Sequence, residues 1–237
     1  MTRRVAIIQS SYIPWRGAFA ILARCDAFIF LDSVQFTRRD WRTRNRILTR
    51  DGPLWLSIPA RQKGNYTAPI DAMEIAEPGW ARRHLRSIEG AYARAPQFAA
   101  AWPAISKAYA AVAEAPLLSI VNQGLTAALC RMLGIATPLL RDVDLLPREE
   151  LATLDPTERL VALARAAGAM EYLSGPSARA YLDETRFAAA GIGVAWMDYG
   201  GLRPYPQLWG GEFEPAVSVI DALLNLGPAA ARESMGA

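Results

Sequence analysis

The chain has 237 residues, of which 52% are hydrophobic and 21% are charged, with a formal net charge of +3 and a pI near 9.0. This composition is typical of a folded globular protein with a substantial core and excludes an intrinsically disordered chain. No apolar run is long enough for a membrane-spanning helix, and the amino-terminal run is too short for a signal peptide, so we expect a soluble cytoplasmic protein.

The amino-terminal part of the chain predicts two buried strands joined by a helix. Residues 5–8 and 27–31 are short apolar runs typical of buried strands, and residues 18–23 between them have helical periodicity. The polar side chains that follow these strands are those of Gln9, Asp32 and Gln35. Because the carboxyl ends of parallel strands form the ligand-binding edge of an open α/β sheet, we expect these side chains near a site.

A basic segment follows the second strand, and we expect it to be a loop. Residues 38–46 contain five arginines, and Arg44 and Arg46 flank Asn45, so the two guanidinium groups point the same way if the backbone is extended. Guanidinium groups bind phosphate and carboxylate in a bidentate manner. The segment therefore predicts an anion-binding surface, with a solvated charged face as the alternative.

The rest of the chain alternates between strand and helix patterns. Strands are predicted at 55–58, 70–75, 137–143, 172–173 and 192–197, and helices at 80–93, 98–113, 117–133, 155–168 and 217–226. This order predicts a single α/β domain over 1–237. It would have a Rossmann-like, mostly parallel sheet with helices on both faces and a helical insertion at about 79–133.

Further candidate binding residues lie in two turns that follow strands. Tyr12 and Trp15 could form the floor for a sugar or a base, or could simply pack the turn. Ser174, Gly175 and Ser177 follow a predicted strand and precede a helix, where free backbone N–H groups can bind an anion.

Two side chains are candidates for taking a proton from a substrate. His84 is the single histidine and lies on a predicted helix with Trp80 and Ile88. A histidine titrates near neutral pH, which suits general acid–base work, although a lone helical histidine often only packs. Asp32 is the alternative base, and it could instead cap the basic segment.

The whole chain resembles the WbqC-like family in a series of short motifs. The motifs are Gln9 with 12–17 (Tyr-Ile-Pro-Trp-Arg-Gly), 30–36 (Phe-Leu-Asp-Ser-Val-Gln-Phe), Arg44-Asn45-Arg46, Trp80 with Arg83-His84, 172–177 (Tyr-Leu-Ser-Gly-Pro-Ser), 181–183 (Tyr-Leu-Asp), Tyr205-Pro206-Gln207, and 218–221 with 225–227. The resemblance implies that the protein modifies an amino sugar or a related amine in surface polysaccharide or specialised metabolite biosynthesis. It adds Tyr205 and Gln207 to the candidate substrate-binding residues.

The amino-terminal unit is also similar to the nucleotidyltransferase-like fold, in particular to pantothenate synthetases, which join an acid to an amine with ATP. Gln35-Phe36 and the turn at 174–181 correspond to parts of that pattern. The paired histidines of those enzymes are absent, and residues 15–18 stand near their place. The resemblance therefore leaves ATP with Mg²⁺ as one possible co-substrate.

We interpret the chain as an enzyme that forms an amide on an amine substrate, such as an amino sugar on a nucleotide carrier. Arg44 and Arg46 would bind phosphate, with Asn45 between them also contacting the substrate and Arg44 counted among the catalytic residues. His84 or Asp32 would take the amine proton. An acyl thioester or an aminoacyl-tRNA could replace ATP and a carboxylate as the donor system, and tRNA is expected only in that role. No metal site is expected. The alternatives are a nucleotidyl or glycosyl transferase and a non-catalytic binding module for a nucleotide sugar.

Overall fold

The computed structural model describes residues 2–65 and 67–236, which form two β-sheets. Their strands are β1 (Arg4–Ile8), β2 (Ala27–Phe30), β3 (Arg44–Thr49), β4 (Gly52–Ser57), β5 (Leu139–Arg141), β6 (Glu171–Ser174) and β7 (Gly193–Trp196). The central sheet has the order β5-β2-β1-β6-β7, and all its neighbouring strands are parallel. Strands β3 and β4 form a separate antiparallel hairpin.

The described chain also contains ten α-helices. They are α1 (Arg16–Leu22), α2 (Trp80–Tyr92), α3 (Phe98–Val112), α4 (Leu118–Met132), α5 (Asp142–Leu145), α6 (Arg148–Thr153), α7 (Pro156–Ala166), α8 (Glu184–Ala189), α9 (Val219–Leu226) and α10 (Pro228–Glu233). Two short 3₁₀ helices span Ile70–Ala72 and Pro176–Ala180. Among the helices in residues 2–65 and 67–236, none is long and apolar enough to cross a membrane.

The central sheet is covered on both faces, as its strand composition predicts. Successive side chains of a strand point to opposite faces. In β1, Val5 and Ile7 pack into a cluster with α7 and α8, while Ala6 packs into the larger cluster with α1, α4 and α9. The parallel sheet with flanking helices confirms the predicted Rossmann-like α/β fold, and α2, α3 and α4 lie in the predicted helical block.

The strand order reverses between β1 and β6. The chain steps from β1 to β2 and then β5 in one direction, and β6 and β7 are added on the other side of β1. In open α/β sheets this switch point leaves a crevice at the carboxyl ends of the two central strands, where ligands bind. The fold therefore places the segments after Ile8 and after Ser174 beside one crevice.

Two predicted elements are wrong in the structure. The strand expected at 70–75 begins with the 3₁₀ helix Ile70–Ala72, because the Met73 N–H donates to the Ile70 carbonyl and both side chains are buried three residues apart. The basic loop ends in β3, since Arg44–Thr49 pairs with every residue of β4 through a two-residue turn.

Candidate functional site

A cavity of about 890 Å³ lies at the switch point of the sheet. This volume lies within the usual range for small-molecule sites. Its polar lining residues include Gln9, Ser11, Arg42, Asn45, Arg159, Ser174 and Ser177. Its apolar and aromatic lining residues include Ile7, Trp15, Trp41, Tyr172, Tyr181 and Tyr199. The predicted location of a site at the carboxyl ends of β1 and β6 thus coincides with a cavity.

The turn after β1 has a strained backbone that Asn45 holds in place. Ile13 is fully buried and has a φ of 35°, which is unusual for a β-branched residue. The Asn45 side-chain amide donates to the carbonyl oxygens of Tyr12 at 3.1 Å and Ile13 at 2.9 Å. Asn45 is buried in β3, so the hairpin fixes the conformation of one cavity wall.

Two aromatic rings form part of the cavity wall. Trp15 lies at the start of α1, and its ring centroid is 5.1 Å from that of Tyr199, with an interplanar angle of 56°. The predicted role of Trp15 as an aromatic surface for a ligand is consistent with this position, because Trp15 lines the cavity.

Arg42 and Gln9 form a polar part of the cavity wall. Arg42 is only 9% exposed, and its Nη1 donates a hydrogen bond to the side-chain oxygen of Gln9. Its Nε is enclosed and has no hydrogen-bond partner within the described chain, and its Nη2 lies 3.9 Å from Oδ1 of Asp40. Burial lowers the Arg42 pKa, and the nearby Asp40 and Asp32 carboxylates oppose this effect. Because the Nε N–H is enclosed, the Nη groups are the donors that an anion or carbonyl oxygen in the cavity would meet.

Asp32 lies behind the cavity lining in a buried network. It is 2% exposed, its Oδ1 accepts from the Ser10 N–H at 2.9 Å, and its Oδ2 accepts from the Gln123 amide at 2.8 Å. Burial raises the Asp32 pKa, and the bonds from Ser10 and Gln123 partly offset this. In α4, Asn122 donates to the Arg42 carbonyl at 2.9 Å. These bonds fix the segments that carry Gln9 and Arg42.

His84 lies in an aromatic cluster and is not among the cavity-lining residues. It is 7% exposed, and its Nδ1 is 2.7 Å from the Tyr12 hydroxyl, which in turn is 2.6 Å from the Tyr109 hydroxyl. Burial lowers the His84 pKa to about 4, although a bond to the Ser57 backbone opposes the shift. Tyr12 is fully buried, so the structure joins these two candidates to each other and separates both from the cavity.

Arg44 and Arg46 face a second, smaller cavity of about 350 Å³. Their guanidinium carbons lie 4.4 Å and 5.5 Å from the centroid of the Trp55 ring. They project from the same side of β3, as the spacing predicts for an extended backbone. Both cavities are lined by Trp41, so the two are adjacent.

The remaining candidates lie in the cavity, on the surface and in the core. Ser174, Gly175 and Ser177 line the large cavity, although the helix that follows is a five-residue 3₁₀ helix. Gln35 is exposed, forms a backbone bridge with Pro69 and is not among the lining residues. Tyr205 and Gln207 donate to Asp221 Oδ1 at 2.7 Å and 3.0 Å, so the structure gives their polar groups an internal partner.

Arg42, Trp41 and Tyr199 are cavity residues that the sequence interpretation did not select. The clustering of arginines at 38–46 was visible, but only tertiary contacts show that Arg42 is the buried member. Tyr199 follows β7 at the carboxyl edge of the central sheet. Its position after a predicted strand could therefore have identified it as a candidate site residue.

Metal-binding groups are not assembled in the described structure. Across residues 2–65 and 67–236, no three His, Cys, Asp or Glu side chains are placed to hold a metal ion together. Cys25 and Cys130 are buried free thiols, and burial raises the pKa of each to about 12. Both thiols are therefore protonated and unreactive at neutral pH.

Comparisons with known proteins agree with the motif resemblance. The model of the WbqC-like protein family matches residues 9–233. The chain is also similar to the uncharacterized protein Rv1507c of Mycobacterium tuberculosis, with 45% identity over 225 residues that cover 95% of this chain and 94% of the relative. No solved structure matches the chain. The match over nearly the whole length shows that this protein belongs to the WbqC-like protein family.

Proposed function

We propose that this protein is an enzyme that transfers an acyl group to the amine of a phosphate-bearing small molecule, with an amino sugar as the preferred acceptor. One observation carries the proposal. Arg42 is a buried arginine that lines the switch-point cavity, where its Nη1 donates to the Gln9 side-chain oxygen and its Nη2 lies 3.9 Å from the Asp40 carboxylate. A buried cation with free donor capacity requires an anionic or strongly polar partner.

The chemistry of amide formation gives Arg42 a role. The amine nitrogen attacks the acyl carbonyl carbon, the C–N bond forms, and negative charge develops on the carbonyl oxygen. Arg42 would donate to that oxygen. When the intermediate collapses, the leaving group departs with the electrons of its bond to the acyl carbon, and the amine proton passes to the leaving group or to water. Gln9 would hold Arg42 in position through its side-chain oxygen.

Asp32 supports this arrangement as a positioning residue. Its two oxygens are occupied by Ser10 and Gln123, and its charge acts on Arg42. Loss of the carboxylate would release the turn that carries Gln9. In this proposal Asp32 acts through neighbouring groups, and His84 contributes to packing.

The cavity walls suit a sugar as the acceptor. Trp15 and Tyr199 present aromatic surface, and Ser174 and Ser177 add hydroxyl groups at the opposite central strand. Sugars bind in sites that combine an aromatic surface with a few placed hydrogen-bonding groups.

Mass spectrometry of an amide product tests the function directly. The purified protein is incubated with a nucleotide-linked amino sugar and, separately, an acyl thioester, a carboxylate with ATP and Mg²⁺, or an aminoacyl-tRNA. We expect one donor to yield product. Arg42→Lys should lower turnover about 10²-fold or more, because lysine cannot reproduce the guanidinium geometry. Arg50→Lys, at the exposed tip of the β3–β4 hairpin, is the matched control.

A non-catalytic binding protein is the second candidate. The observation that favours it is the separation of His84, Asp32 and Arg44, which occupy an aromatic cluster, a buried network and the second cavity. A nucleotide sugar that raises the melting temperature, together with no product from any of the three donors, would establish this candidate and contradict the enzyme proposal.

A further inference from the structure

We propose that Trp41 and Trp55, with Arg39, Arg44 and Arg46, form a subsite for the nucleoside diphosphate part of the substrate. The base would stack on the tryptophans, and the phosphates would contact the arginines. The inference deepens the proposed function and rests on it for the assumption that the reacting amine lies in the large cavity. It adds a recognition site for the nucleotide base, a group that takes no part in amide formation.

The two tryptophans form an exposed aromatic surface. Trp41 and Trp55 are each 43% exposed, their ring centroids are 5.5 Å apart, and the rings are inclined by 36°. Most large apolar side chains of the described chain are buried, so the exposure of this pair is an exception. Stacking on an exposed tryptophan is a common way for proteins to hold a planar base.

The charges around the tryptophans favour an anion. Arg44 lies over the Trp55 ring at 4.4 Å, and the exposed side chain of Arg39 lines the same cavity. Arg46 donates to the Ala216 carbonyl at 2.9 Å and is 3.6 Å from Glu214, which orients it and offsets part of its charge. Arginines that are held in place lose little entropy when they bind phosphate.

One carboxylate in this cavity is already occupied. Asp40 accepts from the Thr37 hydroxyl at 2.6 Å and from the Trp41 N–H at 2.6 Å. Burial raises the pKa of Asp40, but the Thr37 bond and nearby Arg42 outweigh it, so the pKa is lowered and the carboxylate stays charged. The three arginines still leave the cavity with an excess of positive charge over this carboxylate.

The position of Trp41 connects this subsite to the large cavity. Trp41 lines both cavities, and its carbonyl accepts from the Tyr12 N–H at 2.9 Å, which fixes it to the turn after β1. A ligand that stacks on Trp41 and Trp55 can therefore extend past Arg42 into the large cavity. With the base and phosphates in the smaller cavity and the reacting group in the large one, the ligand would be a nucleotide-linked sugar, because a free sugar phosphate would leave the tryptophans without a base.

Isothermal titration with UDP, ADP and inorganic pyrophosphate tests the subsite. We expect UDP or ADP to bind the wild-type protein at least about tenfold more tightly than pyrophosphate, because only the nucleotides can stack. Trp55→Ala should remove this difference, and Trp55→Phe should restore most of it. Leu54→Ala is the control, since Leu54 is 42% exposed on the same strand and lies outside the cavity lining.

The arginine contribution is measured in the same titrations. Arg44→Gln should weaken UDP and pyrophosphate alike, whereas Arg50→Gln on the adjacent hairpin turn should leave both unchanged. Equal affinity for nucleotide and pyrophosphate in the wild type, or unchanged UDP affinity in a folded Trp55→Ala variant, would overturn the inference. Binding of a single-stranded oligonucleotide without binding of UDP or ADP would overturn it in favour of a nucleic-acid surface.

Failure of the subsite and failure of the proposed function give different results. If the titrations succeed and no donor gives an amide, the nucleotide subsite stands and the acyl-transfer proposal fails. If the Trp55→Ala variant forms amide at the wild-type rate and saturates at the same acceptor concentration, acyl transfer stands and the subsite is wrong.

Discussion

The Trp15 ring covers the position that a side chain at residue 17 would occupy. A Cβ atom added to Gly17 would overlap the ring of Trp15, which is half-buried and packs on Tyr199. Gly17 lies in the first turn of α1, where glycine otherwise has lower helix propensity than alanine. The glycine thus permits the indole to form the aromatic wall of the large cavity.

We expect Gly17→Ala to displace Trp15 and weaken ligands of the large cavity. The ring must rotate away from Tyr199, so tryptophan fluorescence should change and cavity ligands should bind about tenfold or more weakly, the scale of one lost aromatic contact. Gly90→Ala, in α2 with open space at its Cβ position, is the matched control. It should raise stability by about 0.5–1 kcal/mol through helix propensity and leave affinity unchanged. Unaltered affinity in Gly17→Ala would show that Trp15 does not contact the ligand.

The Asn45 amide should be essential for the strained turn that it supports. Asn45→Asp replaces a donor with an acceptor that faces the carbonyl oxygens of Tyr12 and Ile13. We expect urea unfolding to show a loss of about 1–3 kcal/mol at pH 7, with partial recovery in acid as the carboxyl gains a proton. Asn65→Asp, at an exposed loop amide that donates to the Arg61 carbonyl, should cost less than about 0.5 kcal/mol. Equal losses of unfolding free energy at the two positions would show that the Asn45 amide does not hold the turn.

Much of the fold follows from periodic patterns that the sequence shows directly. The buried runs before Gln9 and Asp32 predict parallel strands, and Asp155 with Pro156 predicts the start of α7, where the structure has a capping box with Glu158. The β3–β4 hairpin was harder to predict, because its basic composition resembles a loop and its stability depends on pairing with β4.

The position of the candidate cavity follows from the sequence more closely than its lining does. The switch point follows from strand order, and Gln9 and Ser174, at the carboxyl ends of β1 and β6, line the cavity as a result. The burial of Arg42 depends on contacts from distant segments, which no local pattern records. The helical spacing of Trp80, His84 and Ile88 marks one face of α2, and the structure buries that entire face.

Tyr205 should contribute to stability through its bond to Asp221. Asp221 is fully buried, and it accepts from the Tyr205 hydroxyl and the Tyr92 hydroxyl at 2.7 Å each. We expect Tyr205→Phe to lower the free energy of unfolding by about 1–3 kcal/mol, because a buried carboxylate loses a donor. Tyr181→Phe is the control, since Tyr181 is 70% exposed, and its unfolding free energy should change by less than about 0.5 kcal/mol. A stable Tyr205→Phe variant with weakened substrate binding would return Tyr205 to a role in binding.

His84 is the only histidine in the chain, so its protonation can be followed through a single imidazole signal in NMR. Burial should place its pKa at about 4 in the folded state, compared with 6.5 for an unperturbed imidazole. A pH titration followed at the Cε1 proton measures this value. A midpoint near 6.5 or above would contradict the packing role and favour proton transfer.

The same shift predicts how stability depends on pH. Below pH 6.5 the unfolded state binds a proton that the folded imidazole does not, so the contribution of His84 to stability is complete above pH 6.5 and is lost as the pH falls toward 4. The loss should amount to about 3 kcal/mol.

His84→Gln removes this titration, and the variant should be less stable than wild type at pH 7.5 because the bonds to Tyr12 and Ser57 are weakened. The difference between the two urea-unfolding free energies should then shrink between pH 6.5 and 4.5. A constant difference across that range would show that His84 does not titrate with a depressed pKa.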